Sequence, residues 1–383
     1  MLPLLLALSL AAADHGMDPA LLARIPERMK AFVAGGATAG TVTLIQRNGV
    51  LARLDAAGWQ DREAKLAMKP DTIFQIASMT KPVTGAAIMI LVDEGLVALT
   101  DPVEKHLPEF RGQVLSDGRK PTRRPTLRDL LTHTSGMPGG TPAGVSDIFQ
   151  RRDRTLEEAV LIYSQQRLLS EPGAQWRYSN MGIATLGRIV EVASGMAYHR
   201  FLKERIFEPL GMKDTFFFPP NEKHGRIAAM YSYDNGKLTR AEFELYRKDA
   251  KYPAPEGGLY STASDMAAFY QMMLDGGVFQ DRRILSPAAV AAMTGVHTGE
   301  LKAGFAPGIG YGLSWGVVRD NDGIFRLNST GAYGHGGAWR TYGWIDPAKK
   351  LVGVIMMQRI SRDGDLADEI NAVMAMASAA IVN

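Results

Sequence analysis

The sequence predicts an α/β protein of the α+β type, in which an antiparallel sheet is flanked by terminal helices and carries an inserted, mostly helical lobe. Near the amino end, residues 41–58 contain two strand-like runs joined by Asn48 and Gly49, a pair typical of tight hairpin turns. A second hairpin is predicted over residues 341–358. Helical patterns dominate residues 78–211, which lie between the two hairpins.

The predicted helices have recognisable ends. Residues 78–95 form the first long helix, and Gly95 suits its C-cap. Thr155 and Glu158 make a capping box at the start of another helix. Glycine ends, or serine and threonine caps, predict further helices at residues 125–136, 180–195, 197–211, 262–277 and 286–293, and a terminal helix is predicted at 366–382.

These elements predict one catalytic unit over residues 17–383. Its α/β lobe comprises residues 17–77 and 212–383, and its helical lobe comprises residues 78–211. A cleft between two such lobes is a usual place for a ligand.

Residues 1–16 have the pattern of a leader. The run from Leu2 to Ala13 is apolar, too short to cross a bilayer and typical of a signal-peptide core, although the first basic residue is Arg24. We therefore expect a periplasmic or secreted protein without a stable membrane anchor. The alternatives are a cytoplasmic protein that starts at Met17, or a longer leader that contains Met1.

Composition excludes several classes of function. The 383 residues carry a formal net charge of only +3, with no long basic block, so nucleic-acid binding has no support. The chain has no cysteine, which excludes disulfides and a thiolate nucleophile. Its 7 histidines lack metal-ligand spacing, so we expect neither a metal nor a cofactor. The oligomeric state stays open.

The pair Ser78 and Lys81 is the first candidate for chemistry. Residues three apart on a helix share a face, so Lys81 would lie beside Ser78 at the helix N-terminus. The helix dipole favours negative charge there and disfavours the proton on Lys81. A partly neutral lysine can accept a hydroxyl proton. The motif also occurs often by chance, and a solvated lysine is then the simpler interpretation.

Two further segments strengthen this interpretation. Tyr178 and Asn180 lie in "YSN" about a hundred residues later, and a tyrosine near a lysine can share its proton, although an isolated tyrosine is more often a core residue. In "YGHGGAWRTYGW", Gly336 and Gly337 precede a predicted strand and would let a substrate approach the backbone closely, unless they only form a turn or bulge.

Together, the segments "FQIASMTK", "LLTHTSGM", "EPGAQWRYSN", "GGLYSTASDM" and "GHGGAWRTYGW" resemble the β-lactamase-like serine hydrolases, in particular class C β-lactamases and family VIII carboxylesterases. The resemblance implies that Ser78 is the nucleophile and that Lys81 and Tyr178 are the proton-transfer pair. It also implies that Asn180 contacts Lys81 and the substrate, and that the amide of Ala338 pairs with that of Ser78 as the oxyanion hole.

The chain departs from the β-lactamase pattern at His335-Gly336-Gly337, where those enzymes usually carry a lysine-led motif. A histidine is largely neutral at pH 7, which weakens the case for an anionic substrate. We therefore expect a carboxylesterase that acts on small neutral esters of short acyl chains through an acyl-enzyme on Ser78. The alternatives are a β-lactamase or D-amino-acid peptidase with the same residues, and a penicillin-binding or sensor module without turnover.

A second serine motif competes with Ser78. "GLSWG", centred on Ser314, matches the G-x-S-x-G pattern of α/β-hydrolases, but that motif needs a helix after the serine and the following residues favour a strand. We interpret Ser314 as a buried or edge-strand residue. His133, in "LLTHTSG", is interpreted as a residue that holds a loop by hydrogen bonds.

Overall fold

The computed structural model describes residues 15–142, 152–234, 236–241, 249–320, 327–360 and 367–382. The predicted signal-peptide core lies outside the described residues.

An eight-stranded antiparallel sheet forms the centre of the structure, in the order β10-β11-β12-β13-β14-β1-β2-β3. Its strands are β1 (Gly40–Arg47), β2 (Val50–Asp61), β3 (Leu66–Ala67), β10 (Ile309–Tyr311), β11 (Gly316–Val318), β12 (Tyr333–Gly336), β13 (Tyr342–Asp346) and β14 (Leu351–Met356). Smaller sheets contain β4 (Phe74–Gln75), β5 (Tyr231–Asp234), β6 (Lys237–Arg240), β7 (Tyr260–Ser261), β8 (Val278–Phe279), β9 (Arg282–Arg283) and β15 (Arg359–Ile360).

The two central hairpins form at the predicted places. Asn48 and Gly49 join β1 to β2 with φ angles of 54° and 74°, and positive φ at both central residues is what the tight type I′ turn requires. The β13–β14 hairpin turns through a short 3₁₀ helix, Pro347–Lys349. Strand β1 pairs with β14, so the two ends of the chain share one sheet.

The helices are α1 (Pro19–Leu22), α2 (Arg24–Ala34), α3 (Thr80–Asp93), α4 (Val103–His106), α5 (Leu127–Leu131), α6 (Leu156–Ser164), α7 (Asn180–Ser194), α8 (Tyr198–Leu202), α9 (Glu208–Leu210), α10 (Ala263–Leu274), α11 (Pro287–Thr294) and α12 (Asp368–Ala379). The predicted capping box at Thr155 and Glu158 is present, and Gly195 ends α7 with a left-handed φ of 69°.

Alternating side chains of the sheet enter two separate hydrophobic cores. Leu351 and Ile355 of β14 face α2 and α12, whereas Val352 and Val354 face α10 and the helical region. The terminal helices thus cover one face of the sheet. Helix α3 lies in the larger core, and nearly all its residues are buried, which explains why its sequence lacks an amphipathic pattern. The predicted fold class is confirmed.

Among the described residues, no helix combines the length and apolarity needed to cross a bilayer.

Candidate active site

Ser78 lies in a short 3₁₀ turn, Ala77–Met79, between strand β4 and helix α3. Ala77 has a φ of 46°, a left-handed conformation that a residue with a side chain adopts only when its surroundings hold it. Those surroundings are a hydrogen bond from the Ile76 amide to the Leu259 carbonyl (2.9 Å) and one from the Thr80 hydroxyl to the Ala77 carbonyl (2.7 Å). The backbone thus presents Ser78 at the start of α3, half-buried.

Lys81 lies one turn further along and is fully buried. Its Nζ donates a hydrogen bond to Ser78 Oγ at 2.9 Å and another to the backbone carbonyl of Glu256. It also lies 4.8 Å from the centre of the Tyr178 ring. Burial lowers the pKa of Lys81 to about 7, against the opposing charge of Glu256. A substantial fraction of neutral amine is therefore present at neutral pH.

His133 holds the loop that carries Tyr178. Its carbonyl accepts a hydrogen bond from the Arg177 amide (2.8 Å), and its Nδ1 accepts one from the Ser179 amide (3.2 Å). Burial lowers the pKa of His133 well below its usual value, so the ring stays neutral and Nδ1 is free to accept. The ring centres of His133 and Tyr178 are 4.5 Å apart. This geometry agrees with the interpretation of His133 as a loop-holding residue.

The Tyr178 hydroxyl interacts with the side chain of Ser78. Burial raises the pKa of Tyr178 above its usual value of 10, although this interaction opposes the rise. Tyr178 therefore stays protonated at neutral pH, while Lys81 is partly neutral. At neutral pH, part of the Lys81 population can therefore accept a proton, whereas Tyr178 holds a proton that it can donate.

Asn180 is the first residue of α7, and its amide donates to the Gly139 carbonyl at 3.3 Å. In the described part of the chain Asn180 makes no hydrogen bond to Lys81, whose Nζ donates to Ser78 Oγ and to the Glu256 carbonyl. A role for Asn180 in binding the substrate stays a prediction.

His335 lies on β12 and is buried. Its Nδ1 donates to the Gly336 carbonyl (2.8 Å), which leaves Nε2 to accept a hydrogen bond from the Tyr311 hydroxyl (3.0 Å). Burial, together with the charge of Lys81, lowers the pKa of His335 to about 3. The sequence resemblance places His335 where β-lactamases usually carry lysine, and this side chain is neutral here.

The turn between β12 and β13 packs against the backbone that precedes Ser78. The Gly337 amide donates to the Thr341 carbonyl (2.7 Å), and the Thr341 hydroxyl donates to the Ile76 carbonyl (3.0 Å). In the described residues, neither the Ala338 amide nor the Ser78 amide donates a hydrogen bond to another group of the chain. Both are free to bind an oxyanion, and their pairing stays a prediction.

Ser78 and Tyr178 line a cavity of about 530 Å³, a volume in the range of small-molecule sites. Phe305, which is 75% exposed, lies at this cavity with its ring centre 5.0 Å from that of Tyr178. The remaining wall is largely apolar and comes mainly from β10 to β13 and the start of α12. It includes Ile309, Tyr311, Val318, Tyr333, His335, Gly336, Gly337, Ala338, Arg340, Tyr342, Trp344 and Ile370.

Ser314 does not reach this cavity. It lies in the hairpin between β10 and β11, fully buried with a φ of 67°, and its amide donates to the Leu131 carbonyl at 2.9 Å. Strand β11 follows it where a nucleophile elbow needs a helix. The structure agrees with the interpretation of Ser314 as a buried residue.

Three residues of this site were not singled out from the sequence. Glu256 lies in "PAPEGG", where an acid beside two glycines is typical of a solvated turn, and no signal marks it as buried. Tyr311 ends the short strand β10 and Phe305 lies in the loop before it, and only the fold brings these aromatic residues to the cavity of Ser78.

Comparison with known proteins identifies the family. The family model described as Beta-lactamase matches residues 25–375. The chain belongs to the β-lactamase family. Protein Rv1367c of Mycobacterium tuberculosis is 34% identical over 84% of this chain and 86% of its own length. Esterase EstB of Burkholderia gladioli is 28% identical over 85% of this chain and 87% of its own.

Solved structures agree with this membership at the level of the fold. EstCE1, described as a hydrolase with promiscuous acyltransferase activity, superposes with a TM-score of 0.80 at 24% identity, over 95% of this chain and 99% of that chain. The predicted resemblance to β-lactamase-like enzymes is confirmed, and the protein is a serine hydrolase of this family. Among the described residues, no group of three or more metal-binding side chains is present.

Proposed function

We propose that this β-lactamase family member is a carboxylesterase that hydrolyses neutral esters through an acyl-enzyme on Ser78. The observation that carries the proposal is the 2.9 Å hydrogen bond between Lys81 Nζ and Ser78 Oγ at the wall of an open, largely apolar cavity. Esterase EstB, similar over most of the chain, supports the same reaction class.

The proposed reaction begins when neutral Lys81 accepts the proton of Ser78 as Oγ attacks the ester carbonyl carbon. The amides of Ser78 and Ala338 bind the oxyanion of the tetrahedral intermediate. The C–O bond to the alcohol then breaks, and Tyr178 protonates the leaving oxygen and is reprotonated from Lys81. Water attacks the acyl-enzyme by the same path in reverse and releases the acid and Ser78.

Preference for a neutral substrate follows from His335. Its two ring nitrogens are engaged with Tyr311 and Gly336, and burial keeps it uncharged. A substrate carboxylate would therefore find no cation at the position where β-lactamases usually have lysine. A cation at that position is worth about tenfold in rate for each 1.4 kcal/mol of attraction.

β-Lactam hydrolysis is the second candidate, and Arg340 favours it. Arg340 lines the same cavity and is the cation closest in sequence to His335. A carboxylate that reaches Arg340 would regain part of the missing attraction. Relative rates on the two substrate classes decide between the candidates.

The test compares a chromogenic short-chain ester with a chromogenic cephalosporin in one buffer. We expect kcat/KM for the ester to exceed that for the cephalosporin by roughly 10–10³-fold, because a partly dry ion pair is worth a few kcal/mol. A cephalosporin that is turned over faster than every short-chain ester tried would overturn the esterase proposal.

The nucleophile is tested in the same preparation with a fluorophosphonate. We expect mass spectrometry to find the adduct on Ser78, and Ser78→Ala to abolish turnover. Ser314→Ala is the matched control, since that serine is buried away from the cavity, and it should keep its activity. An adduct on Ser314 would remove the basis of the mechanism.

A further inference from the structure

A buried carboxyl lies beside Lys81 and takes no part in the reaction proposed above. The Glu256 residue is only 5% exposed, and its backbone carbonyl accepts a hydrogen bond from Lys81 Nζ. Its two carboxylate oxygens do not pair with the ammonium directly. Each lies 3.1 Å from the hydroxyl of Tyr252, which is itself fully buried.

Apart from the cation Arg152, the other ionisable groups that act on this pair are neutral at neutral pH. Lys81 interacts electrostatically with His133 and His335, and burial lowers the pKa of both histidines, so neither carries charge. Glu256 interacts electrostatically with several tyrosines, whose pKa values are raised by burial, and with one cation, an arginine. These groups are Tyr163, Tyr178, Tyr198, Tyr252 and Arg152. Among the described residues, Glu256 is therefore the acid that acts on Lys81.

We propose that Glu256 is a positioning residue with two functions: its carbonyl holds Lys81 Nζ against Ser78, and its buried carboxylate favours the protonated lysine and so controls when the amine can accept the Ser78 proton. This inference rests on the proposed role of Lys81 as the base. It adds an electrostatic control to that role.

Glu256→Gln separates the two functions. The variant keeps the backbone carbonyl that binds Nζ and an amide of similar shape that can still bond Tyr252, but it removes the negative charge. Because the Glu256 carboxylate raises the pKa of Lys81, its loss lowers that pKa further. Neutral lysine then persists to lower pH, and the acid limb of the rate profile moves down by roughly one pH unit or more.

The experiment measures the rate of fluorophosphonate labelling of Ser78 between pH 5 and 9, a reaction that needs the activated serine but no ester turnover. For Glu256→Gln we expect the acid limb to move to lower pH, so that labelling at pH 6, relative to the plateau, rises severalfold. Asp265→Asn is the matched control, because burial also raises the pKa of Asp265. Asp265 accepts hydrogen bonds from the Asp214 amide and the Thr215 hydroxyl, and it is not among the groups that shift the pKa of Lys81. The acid limb of the labelling profile of Asp265→Asn should lie at the same pH as that of the wild-type protein.

Tyr252→Phe is a second variant that tests the same idea if the glutamine variant fails to fold. Burial raises the pKa of Glu256, and the Tyr252 hydroxyl opposes that rise. Loss of the hydroxyl should therefore make the carboxyl less negative and shift the limb in the same direction by a smaller amount. A limb that coincides with wild type in a folded Glu256→Gln or Tyr252→Phe protein overturns the inference. If Ser78 of the wild-type protein is not labelled at all, the proposed function is overturned as well. The two outcomes are distinct, because an unshifted limb can be observed only in a protein that is labelled.

Discussion

At the scale of single residues, the environments of Lys81 and Tyr178 differ in a way that suits the separate tasks proposed for them. Burial lowers the pKa of Lys81 to about 7 and raises the pKa of Tyr178 above its usual value. The Ser78 hydroxyl accepts a hydrogen bond from Lys81 Nζ, and interaction with the same side chain opposes the rise of the Tyr178 pKa. In the proposed mechanism the two groups exchange protons through this hydroxyl, so they should act as a unit and the loss of either should disable the same step.

Lys81→Ala and Tyr178→Phe should therefore have non-additive effects. We expect each variant to lower kcat by roughly 10²–10⁴-fold, the range for positioned acid–base groups, and the double variant to be about as slow as the worse single variant. The measurement is kcat on a chromogenic short-chain ester.

Tyr270→Phe is the matched control for loss of a buried tyrosine hydroxyl. In the described residues the Tyr270 hydroxyl has no hydrogen-bond partner, so its removal should leave kcat unchanged. A double variant slowed by the product of the two single effects would contradict shared proton handling.

At the scale of elements, the β12–β13 turn is pressed onto the backbone before Ser78. A Cβ added at Gly337 would lie 2.2 Å from Thr341 Oγ1 and 2.3 Å from the Ile76 carbonyl oxygen. Both distances are far below van der Waals contact, so the turn must move if residue 337 has a side chain. The same turn carries the Ala338 amide.

Gly337→Ala should consequently impair catalysis more than folding. We expect kcat to fall by roughly 10²-fold, the order seen on loss of one oxyanion donor, while the far-UV circular dichroism stays that of wild type. Gly225→Ala is the control, because a Cβ there meets nothing within 4 Å. An unchanged kcat in Gly337→Ala would show that this turn does not contribute to the oxyanion hole.

At the scale of the whole molecule, local signals predicted most elements. Asn48-Gly49 predicted a turn because few other residues adopt positive φ twice in succession, and Thr155 with Glu158 predicted a helix start because the capping box is local. The order of the three motifs brought Ser78, Lys81 and Tyr178 together as candidates. In each case the deciding interactions join residues that are close together in the sequence, or the residues belong to a recognisable motif.

The features that the sequence did not predict depend on packing between distant segments. The Glu256 carbonyl that binds Lys81 lies 175 residues away along the chain, and nothing local to "PEGG" indicates that its carboxyl is buried. The same contact gives Lys81 Nζ a second acceptor besides Ser78 Oγ, and the sequence did not predict that acceptor. We expected His335 to be neutral because of its residue type, but the sequence did not predict the hydrogen bond that its ring accepts from the Tyr311 hydroxyl.

The buried histidines also contribute to how the stability of the whole molecule depends on pH. Burial lowers the pKa of His133 and His335 relative to 6.5, to about 3 for His335. Below pH 6.5 the unfolded chain therefore binds protons that the folded chain does not. The stabilisation is fully present above pH 6.5 and is lost progressively as the pH falls towards the folded values. Asp101, whose hydrogen bonds from Lys105 and others outweigh burial and lower its pKa to about 2, contributes a similar loss only below about pH 4.

We expect the free energy of unfolding to fall by roughly 2 kcal/mol per buried histidine between pH 7.5 and pH 5, which is visible as a lower urea midpoint. His335→Gln should reduce this pH-dependent loss by about half, even if the variant is less stable at both pH values. Tyr311→Phe is the control, because it removes the hydrogen bond to His335 but keeps the buried ring, and so should retain the full loss. Equal urea midpoints for the wild-type protein at the two pH values would mean that His133 and His335 bind protons without unfolding, which their burial among Lys81, Tyr178 and Tyr311 opposes.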